Sequence, residues 1–390
     1  MPDAVIVSTA RTPIGRAHKG SLIDVRPDDL GGFAIRQALA KVPALNGGEI
    51  EDVMVGCGFP EEEQGMNVGR RVALLAGLPD TVPGTTVNRF CASSLQTIRM
   101  AFHAIRSGEG DAFVSAGLES ITRVPQLPRG AEAGDFSAFH PDQGRDGFVK
   151  VYMPMGMTAE NVAEKYNVSR EDMDRFAKRS QDRAVAAQER GFFDNEISPY
   201  TKPDGTVVSK DDGPRPGTTL EKLAELKPVF KPDGKVTAGN ACPLNDGAAA
   251  VVVMSDERAK QLGITPLARI VASAVSGIDP EIMGVGPIEA VRTVLKRAGM
   301  SITDIDQFEL NEAFAAQVIP VCREVGIDPF DERVNPNGGA IALGHPYGMT
   351  GARIMGTLLN GLRESGKTVG LETMCVGGGQ GMAMIIELLG

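Results

Sequence analysis

The chain has 390 residues, of which 42% are hydrophobic and 23% are charged, so it can bury large cores and is predicted to form two or three domains. Neither a disordered nor a fibrous protein fits this composition. The formal net charge of −10 disfavours a nucleic-acid partner, because neutralising phosphates requires a clustered positive surface.

The N-terminal segment, Met1 to Arg11, is briefly apolar and has no basic stretch before it. This pattern predicts a first β-strand rather than a signal peptide. No apolar run approaches the roughly 18 residues of a membrane helix, so we expect a soluble protein with no membrane partner. Five cysteines without paired spacing indicate reduced thiols in the cytoplasm. We predict neither a metal site nor a permanently bound cofactor.

Helical and strand patterns alternate at both ends of the chain, which predicts an α/β architecture. Residues 34–39 are predicted to be helical, and a strand follows around residues 50–55. Near the end of the chain, a helical pattern at residues 290–295 precedes a strand at residues 305–310 in the same way. The equal spacing of the two pairs indicates a duplicated half-domain.

Between the two halves, at residues 121–245, the sequence becomes rich in proline and charge, as in residues 124–128 and 211–216. One strong helix is predicted there, at about residues 170–190. We interpret the segment as an insertion that covers an active site, since long excursions on a rigid scaffold often carry function. The alternative is a surface excursion without function.

The first motif with chemical potential surrounds Cys91. Residues 85–87 predict a short strand, and apolar residues then recur at helical spacing after the cysteine: Leu95, Ile98, Phe102 and Ile105. Cys91 is therefore predicted at a helix N-terminus, where free N–H groups and the helix dipole favour the thiolate and lower the pKa of the thiol. The alternative is a buried structural cysteine.

The second motif holds His345 between Gly344 and Pro346, before another helical stripe: Met355, Leu358, Leu359 and Leu362. His345 falls within one residue of the position that is equivalent to Cys91 in the other half. If a pseudo-twofold axis relates the halves, the two helix N-termini bring Cys91 and His345 together, an arrangement that activates a nucleophile. A histidine satisfied by the backbone of a Gly-rich loop is the alternative.

Two further segments place polar groups at strand ends. Cys375 lies before the glycine-rich turn 377–379, whose N–H groups can stabilise an oxyanion. A phosphate-binding loop is disfavoured there, because no helix follows the glycines and no Gly-Lys-Ser/Thr is present. Asn311 follows a predicted strand and precedes a helix, which suits orientation of a water or carbonyl, or an ordinary helix cap.

Four segments together resemble the signature motifs of the thiolase family in order and spacing: Cys91-Ala92-Ser93, Asn311-Glu312-Ala313-Phe314, Gly344-His345-Pro346 and Cys375-Val376-Gly377. The resemblance spans nearly the whole chain. It implies the thiolase fold, with duplicated βαβαβαββ halves in a five-layered αβαβα body and an inserted loop domain that binds coenzyme A. The implied domains are residues 1–120 with 246–267, residues 121–245 and residues 268–390. A homodimer or homotetramer is also implied.

The resemblance implies a ping-pong mechanism on coenzyme A thioesters. His345 would activate Cys91, which would attack the keto carbon of a 3-oxoacyl-CoA and become acylated. Acetyl-CoA would leave as its enolate, with Cys375 as the general acid and base. His345 and a water on Asn311 would stabilise the enolate oxygen, and the N–H groups of Cys91 and Gly377 would hold the tetrahedral oxyanion. The reverse Claisen condensation uses the same residues.

The resemblance also implies where the substrate coenzyme A binds. We expect its contacts to come from seven residues: Met155, Arg215, Lys222, Ala238, Cys242, Ala313 and Phe314. Some positions depart from the family pattern. Pro154 stands where acetoacetyl-specific members have histidine, and Tyr347 and Met349 enlarge the usual residues after the histidine motif. We therefore expect degradation of 3-oxoacyl-CoA chains longer than acetoacetyl-CoA, with a short-chain acetyl-CoA acetyltransferase as the alternative.

Two other functions compete with a thiolase. The site of a decarboxylating condensing enzyme of the same fold resembles a cysteine with two histidines, or with a histidine and an asparagine. His345 is the only histidine after His140, so a two-histidine site is hard to build from the second half, and Cys375 in a Cys-x-Gly context also favours a thiolase. A non-catalytic acyl-CoA or lipid carrier would have no need for Cys91, His345 and Cys375 together. Both are weaker hypotheses than a thiolase.

Overall fold

The structure is a computed structural model that describes residues 1–124 and 149–389. Its strands are β1 (Ala4–Arg11), β2 (Gly15–Arg16), β3 (Asp52–Gly56), β4 (Gly84–Val87), β5 (Ala112–Ser120), β6 (Tyr200–Thr201), β7 (Val207–Val208), β8 (Asn245–Ser255), β9 (Ala268–Gly277), β10 (Gln307–Leu310), β11 (Val369–Val376) and β12 (Gln380–Leu388). Its helices are α1 (Pro27–Ala40), α2 (Val68–Leu75), α3 (Ser93–Ser107), α4 (Met155–Lys165), α5 (Arg170–Glu189), α6 (Leu220–Ala224), α7 (Asp256–Leu262), α8 (Pro287–Ala298), α9 (Ala315–Val325), α10 (Ala340–Leu343) and α11 (Thr350–Ser365).

Residues at the helix ends explain where the elements that carry the site begin and stop. The Ser169 side chain accepts a hydrogen bond from the N–H of Asp172 and so caps the start of α5. Helices α3 and α11 both end at a glycine in the left-handed region, Gly108 and Gly366. The helices predicted around residues 34–39, 170–190 and 290–295 are confirmed as parts of α1, α5 and α8.

The sheet shows the same strand order in each half of the chain. The order β4-β3-β5-β8-β1 in the first half is continued by β9-β12-β11-β10 in the second. Strand β3 runs parallel to β4 and β5, and β10 runs parallel to β11. A parallel bridge between Phe308 and Val334 takes the place that β4 has in the first half. The repeat inferred from the sequence is therefore present in the strand topology.

The two halves join where β1 pairs with β9. This pairing is antiparallel and covers only Val5 with Arg269 and Ile6 with Ala268. Strand β1 shifts register against β8 between Ile6 and Ser8, which separates it from β9 beyond that point. The short pairing lets the two half-sheets diverge, so that helices can lie between them.

Five layers follow from the way the apolar faces are buried. Helices α1 and α2 cover one half-sheet with residues such as Leu30 and Val72, and α8 and α9 cover the other with residues such as Val291. Helices α3 and α11 lie in the middle, where Ile98 and Leu358 belong to one shared core. Each such fully buried side chain contributes roughly 1.5–3 kcal/mol relative to exposure. The result is the predicted αβαβα body.

The insertion between β5 and β8 contains α4, α5, α6 and the small β6-β7 sheet. Helix α5 holds it against the second half, because the Ser180 hydroxyl donates to the Glu312 carboxylate and the Arg183 guanidinium donates to the Val334 carbonyl. The proline-rich residues 125–128 and His140 lie outside the described residues. Across residues 1–124 and 149–389, no helix is long and apolar enough to cross a membrane.

Candidate active site

The Cys91 thiol lies in a one-turn 3-10 segment, Phe90–Ala92, directly before α3. Phe90 has a φ of 43°, so the chain turns sharply into the helix. Cys91 is only 8% exposed, and the backbone N–H groups of Gly377 and of Cys91 itself point at its sulfur. These two N–H groups form a ready pair of donors beside the nucleophile candidate.

The expected lowering of the Cys91 pKa is wrong in the resting structure. Burial raises the pKa of the thiol to about 12, and the two N–H groups offset only part of that rise. Loss of hydration destabilises the thiolate more than the N–H groups at the helix N-terminus stabilise it. Cys91 is therefore a neutral thiol that needs a base to become a nucleophile.

The His345 ring is fixed by the turn that precedes α11. Gly344 has a φ of 112°, and a Cβ there would lie 2.6 Å from the Asn245 side chain, so only glycine fits. The freed space lets Asn245 Oδ1 accept from the N–H of His345 at 3.0 Å. The Nδ1 atom of the ring lies 2.6 Å from the Thr350 hydroxyl, which itself donates to the Pro346 carbonyl.

This hydrogen-bond order assigns the protonation of the ring. Because the Thr350 hydroxyl already donates to Pro346, its oxygen accepts from Nδ1–H of His345. Nε2 is then the unprotonated nitrogen, and the Asn311 amide donates to it at 3.3 Å. Burial, with a smaller effect of Arg353, lowers the pKa of His345 to about 3. His345 is a neutral base whose lone pair faces Asn311.

The helix starts meet as the repeat predicts. The Ser94 hydroxyl on α3 accepts from the N–H of Ala352 on α11 at 2.9 Å. Neither nitrogen of His345 hydrogen-bonds Cys91 within the described residues, since one nitrogen faces Thr350 and the other faces Asn311. The geometry brings the two residues into one site without a direct bond in the resting state.

Cys375 is the second-last residue of β11 and lies near Cys91. Its thiol donates to Gln317 Oε1 at 3.4 Å. Burial raises the pKa of Cys375 well above its ordinary value, and the nearby Cys91 and Cys242 sulfurs raise it further. The turn after Cys375 needs glycine at position 379, because a Cβ there would lie 2.2 Å from the Ile278 carbonyl. Three thiols and one imidazole thus share a buried site.

Asn311 and Glu312 have different roles although they are adjacent. The Asn311 side chain reaches His345 and leaves its Oδ1 atom without a partner among the described residues. The Glu312 carboxylate accepts from Ser180, Asn335 and the N–H of Ile341. Glu312 therefore holds the loops around the site in place, whereas Asn311 offers a free acceptor to a water or substrate.

The residues expected to contact coenzyme A divide into two groups. The N–H of Cys242 donates to the Ala313 carbonyl at 2.9 Å, and Phe314 packs edge-to-face against Phe230 with 6.1 Å between ring centroids. Met155 begins α4, beside Gly156, which lies under the Phe230 ring. Arg215, Lys222 and Ala238 instead lie exposed on the insertion. Only the first group lies next to the candidate catalytic residues Cys91, His345, Cys375 and Asn311, which are called the catalytic set below.

Sequence reasoning missed four residues that the structure places at the site: Asn245, Gln317, Thr350 and Phe230. Thr350 and Gln317 act on atoms that are distant in sequence or across a turn, so no local pattern marked them. An aromatic cluster was missed as well. Phe59 packs against Phe90 and Tyr347, and the Tyr347 ring lies 5.1 Å from that of His345.

No group of three or more histidine, cysteine or acidic side chains is arranged to hold a metal ion in the part of the chain that the structure describes. The arrangement that remains is a buried thiol between two N–H donors, a neutral imidazole held by an amide and a second thiol. Such a set can form an acyl-enzyme and move protons.

Comparison with known proteins gives concordant results. Residues 4–257 match the model of the thiolase N-terminal domain, and residues 264–388 match that of the thiolase C-terminal domain. A 3-ketoacyl-CoA thiolase of Bacillus subtilis is 46% identical over 100% of both chains. A beta-ketoadipyl-CoA thiolase of Acinetobacter baylyi is 46% identical over 99% of this chain and 100% of its own.

A solved structure agrees with these sequence relatives. The acetyl-CoA acetyltransferase of Bacillus anthracis superimposes with a TM-score of 0.90 at 40% identity, covering 100% of this chain and 99% of its own. The resemblance inferred from the four motifs is therefore confirmed along the full length. This chain belongs to the thiolase family.

Proposed function

We propose that the protein is an acyltransferase that cleaves 3-oxoacyl-CoA with coenzyme A, or runs the reverse Claisen condensation, through an acyl group on Cys91. One observation carries the proposal. Cys91 with the Gly377 N–H, His345 with Asn311, and Cys375 with Gln317 come from separate segments and meet in one buried site. Relatives named for thiolysis of 3-oxoacyl-CoA substrates support the reaction class.

In the first half-reaction, neutral His345 takes the Cys91 proton on Nε2, and the thiolate attacks the keto carbon of the substrate. The N–H groups of Cys91 and Gly377 stabilise the tetrahedral oxyanion. The carbon–carbon bond breaks, acyl-Cys91 forms and the electron pair leaves as the acetyl-CoA enolate. Protonated His345 Nε2 and a water held by Asn311 stabilise the enolate oxygen, and Cys375 protonates its carbon.

In the second half-reaction, coenzyme A replaces acetyl-CoA. The Cys375 thiolate takes the proton from the coenzyme A thiol, which attacks the thioester carbon of acyl-Cys91. The acyl-CoA product leaves and Cys91 recovers its proton from His345. Gln317 accepts a hydrogen bond from the Cys375 thiol, which orients this proton carrier.

Coenzyme A is proposed to bind between the insertion and the catalytic set, with residues 121–245 as the loop domain of a three-part chain. Half-exposed apolar residues of the insertion, among them Leu226, Val229 and Phe230, support contact with its pantetheine arm. Arg215 and Lys222 are exposed cations suited to its phosphates. A homodimer or homotetramer in the cytoplasm, without a resident cofactor, completes the proposal.

Substrate length is the open choice within the reaction class. Pro154 immediately precedes α4, at the position where a histidine would mark the acetoacetyl-specific branch of the family. The apolar rings of Phe59, Phe90 and Tyr347 support substrates longer than acetoacetyl-CoA. The structural likeness to an acetyl-CoA acetyltransferase favours the short-chain alternative.

A thiolysis assay with 3-oxoacyl-CoA substrates of four, six and eight carbons tests the proposal. We expect kcat/KM to rise from four to six carbons, because each buried methylene contributes about 0.8 kcal/mol. A steady fall with length would favour the acetyltransferase. If none of the three substrates were cleaved, the proposed thiolase reaction would be refuted.

A further inference from the structure

Two rows of buried polar side chains run away from His345 into the middle layer. On α11, Thr350, Arg353 and Thr357 recur at intervals of three and four residues and share one helix face. On β10 and just after it, Gln307, Glu309 and Asn311 recur at intervals of two and share one sheet face.

The rows face each other and converge at the catalytic histidine. At one end, His345 joins them, because Thr350 binds its Nδ1 and Asn311 binds its Nε2. At the other end, a Cβ on Gly361 of α11 would lie 2.3 Å from the Gln307 side chain. We call these two facing rows of buried polar side chains the polar seam.

A second carboxylate enters the seam from β11. Glu372 is in register with Glu309 on the neighbouring parallel strand, so the two carboxyl groups lie side by side on the same face. Glu309 is 1% exposed and Glu372 is fully buried. Arg353 is the cation that interacts with both of them.

The seam contains polar atoms that the protein does not satisfy. Six buried atoms have no hydrogen-bond partner among the described residues. They are the three guanidinium nitrogens of Arg353, both carboxylate oxygens of Glu372 and Asn311 Oδ1. A buried ion without hydrogen bonds is strongly destabilising, and internal water commonly supplies the missing hydrogen bonds in native proteins. Arg353 is 1% exposed, so bulk solvent does not reach it.

The charges around the seam also limit its occupant to neutral molecules. Arg11 is paired with Glu196 at 2.9 Å and Asp211 at 2.8 Å, and Lys41 approaches Glu196. The positive charge of Arg353 faces the carboxyl groups of Glu309 and Glu372, and Glu312 lies close to Glu309. Burial raises the pKa of both carboxyl groups, so the pair holds at least one proton and leaves no unbalanced carboxylate for a cation. Water is favoured as the occupant, because it can accept from Arg353 and also donate to Glu372 and Asn311 Oδ1, whereas an anion cannot donate.

We propose that internal water molecules fill the polar seam, linking Arg353 and the Glu309–Glu372 pair to Asn311 Oδ1, and that Arg353 is a positioning residue for the enolate step. The role rests on the proposed function, because the water on Asn311 is the one that would face the enolate oxygen. The waters bound by Arg353 hold that water in place from behind. Acetylation of Cys91 by acetyl-CoA expels the coenzyme A thiolate and forms no enolate, so it does not use this water.

The role predicts a split between two steps. Arg353→Met keeps a side chain of similar length and removes the guanidinium N–H groups that would bind the waters. Exchange of the acetyl-CoA α-protons with solvent should fall about tenfold or more, whereas acetylation of Cys91 by acetyl-CoA, which forms no enolate, should change by less than about threefold. Arg353→Lys should recover part of the exchange rate, because it restores a donor. Ser115→Ala is the matched control, since Ser115 is also a buried polar group without a partner, in the equivalent strand β5.

A second variant keeps the test decisive if Arg353→Met fails to fold. Glu372→Leu removes a buried carboxyl group and should give the same split, whereas Glu372→Gln, which still binds water, should retain exchange within about threefold. Parallel loss of both rates, or no loss of exchange, would overturn the positioning role.

The presence of the waters can be tested without measuring enzyme activity. High-resolution crystallographic density of the wild-type enzyme should show ordered waters bonded to Arg353, Glu372 and Asn311. A seam that is dry, or closed by direct Arg353–Glu372 bonds, would overturn the hydration. If wild-type enzyme catalysed neither exchange nor thiolysis, the proposed function and the positioning role would fall, but the density would still decide whether the seam holds water.

Discussion

At the residue scale, the two thiols differ in their surroundings and should differ in their chemistry. Cys375 donates to Gln317, and its loop leaves the N–H of Gly377 aimed at Cys91 instead. We predict that Cys375→Ala still becomes acylated on Cys91 but loses solvent exchange at the acetyl-CoA α-carbon by about a hundredfold or more. Deuterium wash-in followed by mass spectrometry measures it. Unchanged wash-in would refute the proton-carrier role, and Cys322→Ala, a buried cysteine on α9, is the control.

Thr350 fixes the His345 tautomer, so its hydroxyl should matter although it touches no substrate. Thr350→Val keeps the shape and leaves Nδ1–H buried without an acceptor. We expect kcat to fall about tenfold with little change in KM, because ground-state binding is unaffected. Thr97→Val is the matched control, since that buried threonine bonds the Ser94 carbonyl within α3. Equal losses in both variants would contradict a specific role for Thr350.

The motifs allowed Cys91, His345, Cys375 and Asn311 to be picked from the sequence, because each lies at a strand end or helix start with a readable pattern. The direction of the Cys91 pKa could not be read, since it depends on how far burial by other segments outweighs the local helix N-terminus. Gln317 and Thr350 were not identified from the sequence for a related reason. Their hydrogen-bond partners depend on how α9 and α11 pack, and no local sequence feature indicates that packing.

At the element scale, the turn before α3 leaves the Phe90 ring partly exposed beside Cys91. Phe90 is 38% exposed and packs against Phe59, while a Cβ on Gly377 would contact its ring at 3.3 Å. The ring is therefore next to the Gly377 N–H, which we propose holds the oxyanion. It is in position to limit or support the acyl chain.

We predict that Phe90→Ala changes the preference for chain length more than the rate on acetoacetyl-CoA. The ratio of kcat/KM for the eight-carbon to the four-carbon substrate should shift at least about fivefold, since a phenyl ring can bury several methylenes. Thiolysis kinetics with both substrates measure the ratio. Leu74→Ala, which truncates an exposed residue of α2, is the control, and an equal ratio in both variants would place the acyl chain elsewhere.

The helices were predictable because their apolar faces repeat at 3.6 residues, as in α3 and α5, and their ends carry caps. The pairing of β1 with β9 was not predictable. It covers two residues on each strand and depends on a register shift after Ile6. Local propensity does not encode such a junction.

At the scale of the whole molecule, the duplicated halves leave a buried charged centre whose ionisation depends on folding. Burial raises the pKa of Glu309 to about 8 and raises that of Glu372 well above its ordinary value. Below about pH 4.3, both folded and unfolded chains keep these protons. As pH rises, the unfolded chain releases them first, so the folded state loses relative stability up to about pH 8.

We therefore predict that Glu309→Gln flattens the fall of unfolding free energy between about pH 5 and pH 8. Denaturant unfolding at each pH measures it. Glu364→Gln is the control of opposite sign, because Arg190 lowers the pKa of that carboxylate, whose stabilising effect is lost as pH falls. A wild-type stability that rises steadily from pH 5 to pH 8, unchanged in Glu309→Gln, would contradict the buried proton.

The repeat and the insertion were predictable from the sequence because matching helix-strand pairs flank a segment of different composition. What the two halves enclose was not. Arg353, Glu309 and Glu372 lie in ordinary helix and strand patterns, and only the folded layers bring them together. Their burial is a property of the assembled body.

The central claim is that Cys91 carries the acyl group. Mixing the enzyme with 3-oxohexanoyl-CoA without free coenzyme A, then quenching and digesting it for mass spectrometry, tests this most directly. We predict a butyryl adduct on the peptide that contains Cys91, with release of about one acetyl-CoA per site, and no adduct in Cys91→Ser. An adduct on Cys57, Cys242 or Cys322, or acetyl-CoA release from Cys91→Ser, would contradict the claim.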